Sequence, residues 1–261
     1  IGVLRLINNP IVKKRNLPKY VKKLLREEKW LSKKKFNNLY LVGGTWRSLF
    51  KLHLFQNNHP VHIIHQYSVN RSILTKFVEK ISNFNKSKLK TVEYISKSRT
   101  QYLPYSSIIL NEIMTITNPK KILCSISGLR EGSLSIDHLK NTKETEIFNK
   151  SIEYIASKRG DLGSTYQKYF KFILPVFDGN EHYNKKLLYL ACVLSHMDWG
   201  LGAFQKAELV FQETLNTPLL RLTHKERIQL ALSCYWRYCS IKYNPKFEYL
   251  TFLNNNEIFS S

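Results

Sequence analysis

Two short stretches combine residue types and spacings that could hold a phosphate. The first is LYLVGGTWRSLFKLH, residues 39–53, where an apolar run enters Gly43-Gly44-Thr45 and Trp46, Leu49, Phe50 and Leu54 then recur along one helix face. A strand, a glycine turn and a helix start bring bare backbone N–H groups and the positive end of a helix dipole to one place. The second stretch is SISGLREGSL, residues 125–134, with Arg130 between Gly128 and Gly132. Arg47 and Arg130 are suited to phosphate oxygens because a guanidinium donates in a planar fork. A second reading fits the same residues: the glycines satisfy turns only, and the arginines pair with local acids such as Glu131.

The charge of the chain is compatible with either reading. Its 261 residues carry 41 Lys/Arg against 19 Asp/Glu, a formal net charge of +22. Residues 1–35 hold twelve of those cations and only Glu27 and Glu28 as acids. Clustered cations concentrate polyanions, but the chain is rich in Lys, Asn and Ile throughout. A solvated basic face and a specific anion track therefore fit equally. Aromatic residues such as Trp199, Tyr235, Trp236 and Tyr238 beside Arg237 are read as core rather than as base-stacking platforms, so nucleic acid is not an expected partner.

Cys124, Cys192, Cys234 and Cys239 form no CxxC pair and lack zinc-site spacing, which points to reduced thiols and a cytoplasmic protein. No apolar run reaches the roughly 18 residues of a membrane span, and no long apolar signal core opens the sequence. With 43% hydrophobic and 13% aromatic residues, the composition supports packed cores.

The elements that must position these residues follow from periodicity. IGVLRL, residues 1–6, reads as a strand, and Tyr20, Val21, Leu24, Leu25 and Leu31 trace a helix whose other face carries Lys22, Lys23, Arg26 and Lys29. VHIIHQYSV, residues 61–69, reads as a strand followed by a helix through Ile73, Phe77 and Ile81. Pro104 precedes a helix through Ile108, Ile109, Leu110 and Ile113, and KILCSI, residues 121–126, reads as a buried strand. This alternation predicts an α/β domain with at least part of a parallel sheet over 1–142. Helix after helix then predicts an all-α domain over 143–261, joined through the polar LKNTKETE at 139–146.

Set side by side, LYLVGGTWRSLFKL, RTQYLPYSSIIL (99–110) and SISGLREGSL resemble, in that order, the exopolyphosphatase/guanosine-pentaphosphate phosphatase (Ppx/GppA) family. Gly43, Gly44, Thr45, Arg47 and Leu49 match its glycine-threonine turn and helix; Arg99, Leu103 and Pro104 match an R…LP segment; and Gly128 to Gly132 match its Gly-Leu-Arg-Glu-Gly loop. ACVLSHMDW and THKERIQLALSCYWRY resemble the helical part of alphaproteobacterial members. The resemblance implies part of the second actin-like (ribonuclease H-like) domain at 1–142 and a degenerate HD-like helical domain at 143–261.

It also implies magnesium-dependent release of terminal phosphate from polyphosphate or guanosine pentaphosphate, with Gly43, Gly44, Thr45, Arg47 and Arg130 as phosphate-binding residues. The family's Asp-x-Gly-Ser-Asn-Ser loop, its water-positioning glutamate and its Asp-x-Gly-Gly-Gly-Ser loop have no counterpart in the 261 residues. No catalytic residue and no magnesium ligand is therefore assigned. The expectation is a C-terminal portion, inactive alone, that is a homodimer or is completed by a missing N-terminal half. Two further stretches mimic family features. GDLGST, residues 160–165, looks like a phosphate loop but lies between helical runs, so Asp161 or Ser164 reads as a helix cap. His196-Met197-Asp198 lacks the adjacent His-Asp pair of a metal site, and residues two apart on a helix diverge.

Overall fold

The computed structural model describes residues 2–8, 16–33, 36–85, 87–88, 95–133, 144–158, 165–177, 184–194, 200–217, 219, 222–240 and 246–254. The chain divides into two compact units, 1–133 and 134–261.

In the first unit the described elements are α1 (Val3–Ile7), α2 (Leu17–Glu27), α3 (Lys29–Lys33), β1 (Asn38–Val42), α4 (Gly44–Gln56), β2 (Ser68–Asn70), α5 (Arg71–Ser82), α6 (Lys97–Thr100), α7 (Leu103–Thr117) and β3 (Lys121–Ser125). The sheet order is β1-β3-β2. β1 and β3 run parallel, from Asn38 opposite Lys121 to Val42 opposite Ser125, while β2 is antiparallel to β3. Ile122, Leu123 and Cys124 are buried in the central strand, as a near-continuous apolar run requires.

α7 organises both cores because it is apolar nearly all round. Leu103, Leu110 and Met114 join Leu49, Phe50, Leu74, Val78 and Ile122 against the sheet. Ile108 and Ile109 pack on Leu17, Val21 and Leu25 of α2. Pro104 in its first turn and Asn118, left-handed at φ 45°, mark its two ends.

Two expected strands are corrected. IGVLRL contributes the helix α1 instead, with Leu6 buried and Leu4 59% exposed. A strand would put those two residues on one face, and a short apolar run does not separate the two periods. In VHIIHQYSV only Ser68 and Val69 enter a strand, because Gln66 takes φ 62° and interrupts the extended run. That strand is antiparallel, so the sheet is mixed.

His53 lies in this core, 4% exposed, sharing a 2.9 Å hydrogen bond between Nδ1 and the Tyr67 hydroxyl. Burial, reinforced by neighbouring His59, lowers its pKa from 6.5 to about 4, and burial lowers that of His59 too.

In the second unit every described element is helical: α8 (Glu144–Lys158), α9 (Thr165–Ile173) with a 3-10 turn at Leu174–Phe177, α10 (Lys185–Leu194), α11 (Ala203–Asn216), α12 (His224–Trp236) and α13 (Phe247–Leu250). Ile152, Tyr166, Leu190, Val193, Val210, Leu230 and Cys234 form its core. Tyr235, one of the aromatic residues near Arg237, is fully buried.

Arg227 of α12 is also fully buried. Its Nη1 donates to the carbonyls of Thr214 (3.3 Å), Leu215 (3.1 Å) and Thr217 (2.7 Å), and Nη2 to Leu219 (3.4 Å). It thus caps the C-terminus of α11, where orphan carbonyls and the negative dipole end favour a cation. Burial draws its pKa down to about 10, which leaves it charged at neutral pH. Thr223 and Glu226 form a capping box that starts α12.

These buried groups set two expected outcomes. Arg227→Ala removes the guanidinium donors from four carbonyls at and beyond the end of α11 and should cost about 3 kcal/mol, seen as a fall of about two decades in amide-exchange protection at Leu230 and Cys234. For His53 the folded pKa is lowered, so its stabilising contribution is complete above pH 6.5 and disappears as pH falls towards 4 and the unfolded chain takes the proton first. The whole effect is about 3 kcal/mol. Urea unfolding at pH 7 and pH 4.5 should show it, and His53→Gln should flatten that slope.

Candidate functional site

The parallel pair β1 and β3 ends at Val42 and Ser125, side by side in register. In α/β sheets ligands bind beyond the carboxyl ends of such strands. The chain leaves β1 through Gly43 into α4, and leaves β3 through Ile126, Ser127 and Gly128 into a helical turn at 129–133. Both sequence-derived stretches therefore meet at one edge.

Gly43 has φ 130° and ψ 157°, a region essentially restricted to glycine. It is the N-cap of α4, with no side-chain cap and no acid in the first turn. The first-turn N–H groups, including those of Gly44 and Thr45, are thus presented without a protein cap from Gly43. Arg99, from α6, lies over this end: a β-carbon at Gly44 would be 3.3 Å from Arg99 Cζ and 3.4 Å from Nη2. The glycine makes room for the guanidinium.

Arg47 is committed to the protein. Its Nε donates to the Ser125 carbonyl at 3.1 Å and its Nη2 to the Ile126 carbonyl at 2.6 Å. These bonds tie the first turn of α4 to the exit of β3. Gly128 N–H donates to Glu131 Oε2 at 2.6 Å. A β-carbon at Gly128 would lie 3.2 Å from that oxygen and 3.6 Å from Arg47 Nη2. Bonds from the backbone N–H groups of Glu131 and Gly128, together with Arg130 and Arg47, hold the Glu131 carboxyl below its usual range. Arg130 itself is exposed.

Of the five candidates, Gly43, Gly44 and Thr45 form the helix start, Arg47 braces it, and Arg130 stands exposed in the neighbouring loop. Arg99 joins them although the sequence presents it only as part of the R…LP segment. The signal that could have found it is its position four residues before Leu103-Pro104. Nothing in the spacing points to His65, whose Nδ1 accepts from Ile126 N–H at 3.4 Å. Asp161, Ser164, His196 and Asp198 lie outside the described residues. Among the described residues, no group of three or more His, Cys, Asp or Glu could hold a metal ion, and no helix is long and apolar enough to cross a membrane.

A scan against protein-family models matches the Ppx/GppA phosphatase family over residues 1–141. The chain belongs to the Ppx/GppA phosphatase family. Similar solved structures include a Ppx/GppA family member of Aquifex aeolicus, with 18% identity and a TM-score of 0.45 over 55% of this chain and 48% of that one. A second, a study of the Aquifex aeolicus PPX-GPPA enzyme, has 19% identity and a TM-score of 0.42 over 51% and 46%. The chain thus spans about half the length of these Ppx/GppA structures. No curated protein matches it.

The two glycines of the turn should respond differently to substitution. Gly43→Ala places a β-carbon in a glycine-only conformation and should cost about 2 kcal/mol. Gly44→Ala should leave stability within about 0.5 kcal/mol but displace Arg99. Thermal unfolding of the two variants, set beside their affinity for tripolyphosphate, separates the effects.

Proposed function

We propose that this chain supplies one phosphate-facing wall of a cleft that hydrolyses phosphoanhydrides, releasing terminal phosphate from polyphosphate or guanosine pentaphosphate. Family membership supports the reaction class. The observation that carries the reading is the uncapped start of α4 at Gly43, overlaid by the Arg99 guanidinium. Such a helix end donates from fixed N–H groups, and Arg99 and Arg130 add forked, permanently charged donors. Phosphoryl transfer depends mainly on positioning and on spreading charge over phosphate oxygens, which these groups can do.

The remaining chemistry is assigned to residues beyond these 261 or to a second chain: the phosphate loops and the glutamate that orients the attacking water. Magnesium is assigned to that complementary side as well. The acid at this wall, Glu131, is already bonded to Gly128 N–H and is flanked by Arg47 and Arg130. The helical unit is proposed as a degenerate HD-like domain used for packing or dimerisation, and the protein as cytoplasmic.

The purified chain should bind tripolyphosphate but release no phosphate from it in the presence of magnesium. Arg99→Ala and Arg130→Ala should each weaken binding about 10-fold or more, the lower end of the worth of a charge-assisted hydrogen bond. Lys22→Ala and Lys23→Ala on α2 should change it less than twofold. Isothermal titration at constant ionic strength reads both. The reverse pattern, with steep loss in added salt, would make the chain a non-catalytic basic module for polyphosphate or RNA.

A further inference from the structure

Immediately beyond β3, the peptide between Ser125 and Ile126 is held from two sides. Its carbonyl accepts from Arg47 Nε at 3.1 Å, and its N–H donates to His65 Nδ1 at 3.4 Å. In a trans peptide these groups point in opposite directions, so the two side chains approach from opposite sides. Rotation of this peptide would break both bonds together.

The position of His65 is set by a defect in the ladder. Gln66, at φ 62°, donates its N–H to the Cys124 carbonyl at 2.9 Å, while Cys124 N–H donates to the Tyr67 carbonyl at 3.1 Å. Two residues, 66 and 67, thus oppose one. This is the bulge pattern in which the first residue is left-handed, a device that redirects neighbouring side chains. His65, 5% exposed, is the residue just before the bulge, and its ring takes a backbone donor that the interrupted ladder leaves over.

The clamp governs the three residues after it. Ser127 N–H donates to Ser125 Oγ at 3.1 Å, Ser125 Oγ donates to the Ser127 carbonyl at 3.0 Å, and Gly128 N–H donates to Glu131. The next peptide, between Ile126 and Ser127, is held by Arg47 as well, whose Nη2 donates to the Ile126 carbonyl at 2.6 Å, and Ser127 is tied through both its N–H and its carbonyl to the Ser125 hydroxyl. The Ser125–Ile126 peptide itself is fixed by Arg47 and His65.

We propose that His65 is a positioning residue that, opposite Arg47, sets the Gly128–Gly132 loop and with it Arg130. The consequence for ligand binding rests on the reading of this edge as phosphate-facing, whereas the clamp itself does not. Accepting from Ile126 needs a lone pair on Nδ1, and asparagine offers Oδ1 from the same branch point. Glutamine carries its oxygen one atom further out.

The test is amide hydrogen exchange in the full chain, with tripolyphosphate titration alongside. In His65→Leu the Ile126 amide should lose about tenfold or more of its protection, while Cys124, bonded to the Tyr67 carbonyl, keeps its own and reports that the sheet has formed. Tripolyphosphate affinity should fall several-fold. His65→Asn should restore both, and His65→Gln should not. Unchanged Ile126 protection in His65→Leu, or equal defects in the leucine and asparagine variants, overturns the clamp. If Cys124 protection is lost in His65→Leu, the asparagine–glutamine pair decides in the same way. A clamp that behaves as expected in a chain that does not bind tripolyphosphate overturns the phosphate-facing reading instead.

Discussion

One guanidinium holds the candidate site together. Arg47 leaves the first turn of α4 and gives two N–H groups to consecutive carbonyls beyond β3. Two carbonyls at a strand exit have no ladder partner, and a partly buried fork that satisfies both contributes more than neutral bonds would. Without it, the glycine turn after β1 and the glycine loop after β3 would be joined only through the paired strand ends at Val42 and Ser125. With it, their separation is fixed by bond lengths. The cost is that Arg47 is less available to a ligand, so the proposed function gives that task to Arg99 and Arg130.

The helical unit repeats this use of arginine at greater depth. Arg227 is buried with carbonyls as its hydrogen-bond acceptors and no carboxylate among those bonds. A buried cation needs a negative field, and the end of α11 provides one through its dipole and orphan carbonyls. In a chain with +22 net charge, both arginines that matter most to the fold are engaged with backbone. Bulk charge therefore says little about ligand sites, since it counts these beside the exposed lysines of α2.

Much of the α/β unit was legible because its signals are local. The strand-turn-helix at 39–53 and the helix after Pro104 follow from period and from glycine and proline chemistry. IGVLRL failed because six apolar-rich residues fit either period and only the partner decides; here Leu6 finds α2 and α7 rather than a strand. VHIIHQYSV failed at Gln66, a residue whose type gives no sign of a left-handed backbone. The glycine turn was legible as a turn because glycine is the residue type that accepts the positive φ found at Gly43. The role of Arg47 was not, since its acceptors lie 78 and 79 positions away in sequence, and no local pattern records which carbonyls a long side chain will reach.

That difference in range also bears on selectivity between anions. Exposed lysines attract any polyanion through a field that salt screens within about 10 Å, and each holds its charge on a flexible stem. In the proposed phosphate-facing reading, donors fixed by the backbone at Gly43 and Gly44, with Arg99 packed against them, would lose little freedom on binding a phosphate and would favour a tetrahedral group over a diffuse one. On that reading, the wall would discriminate a terminal phosphate only while its spacing is kept. Because that spacing is set by side chains tied to the exit of β3, the fold's least local contacts are also those on which recognition would depend.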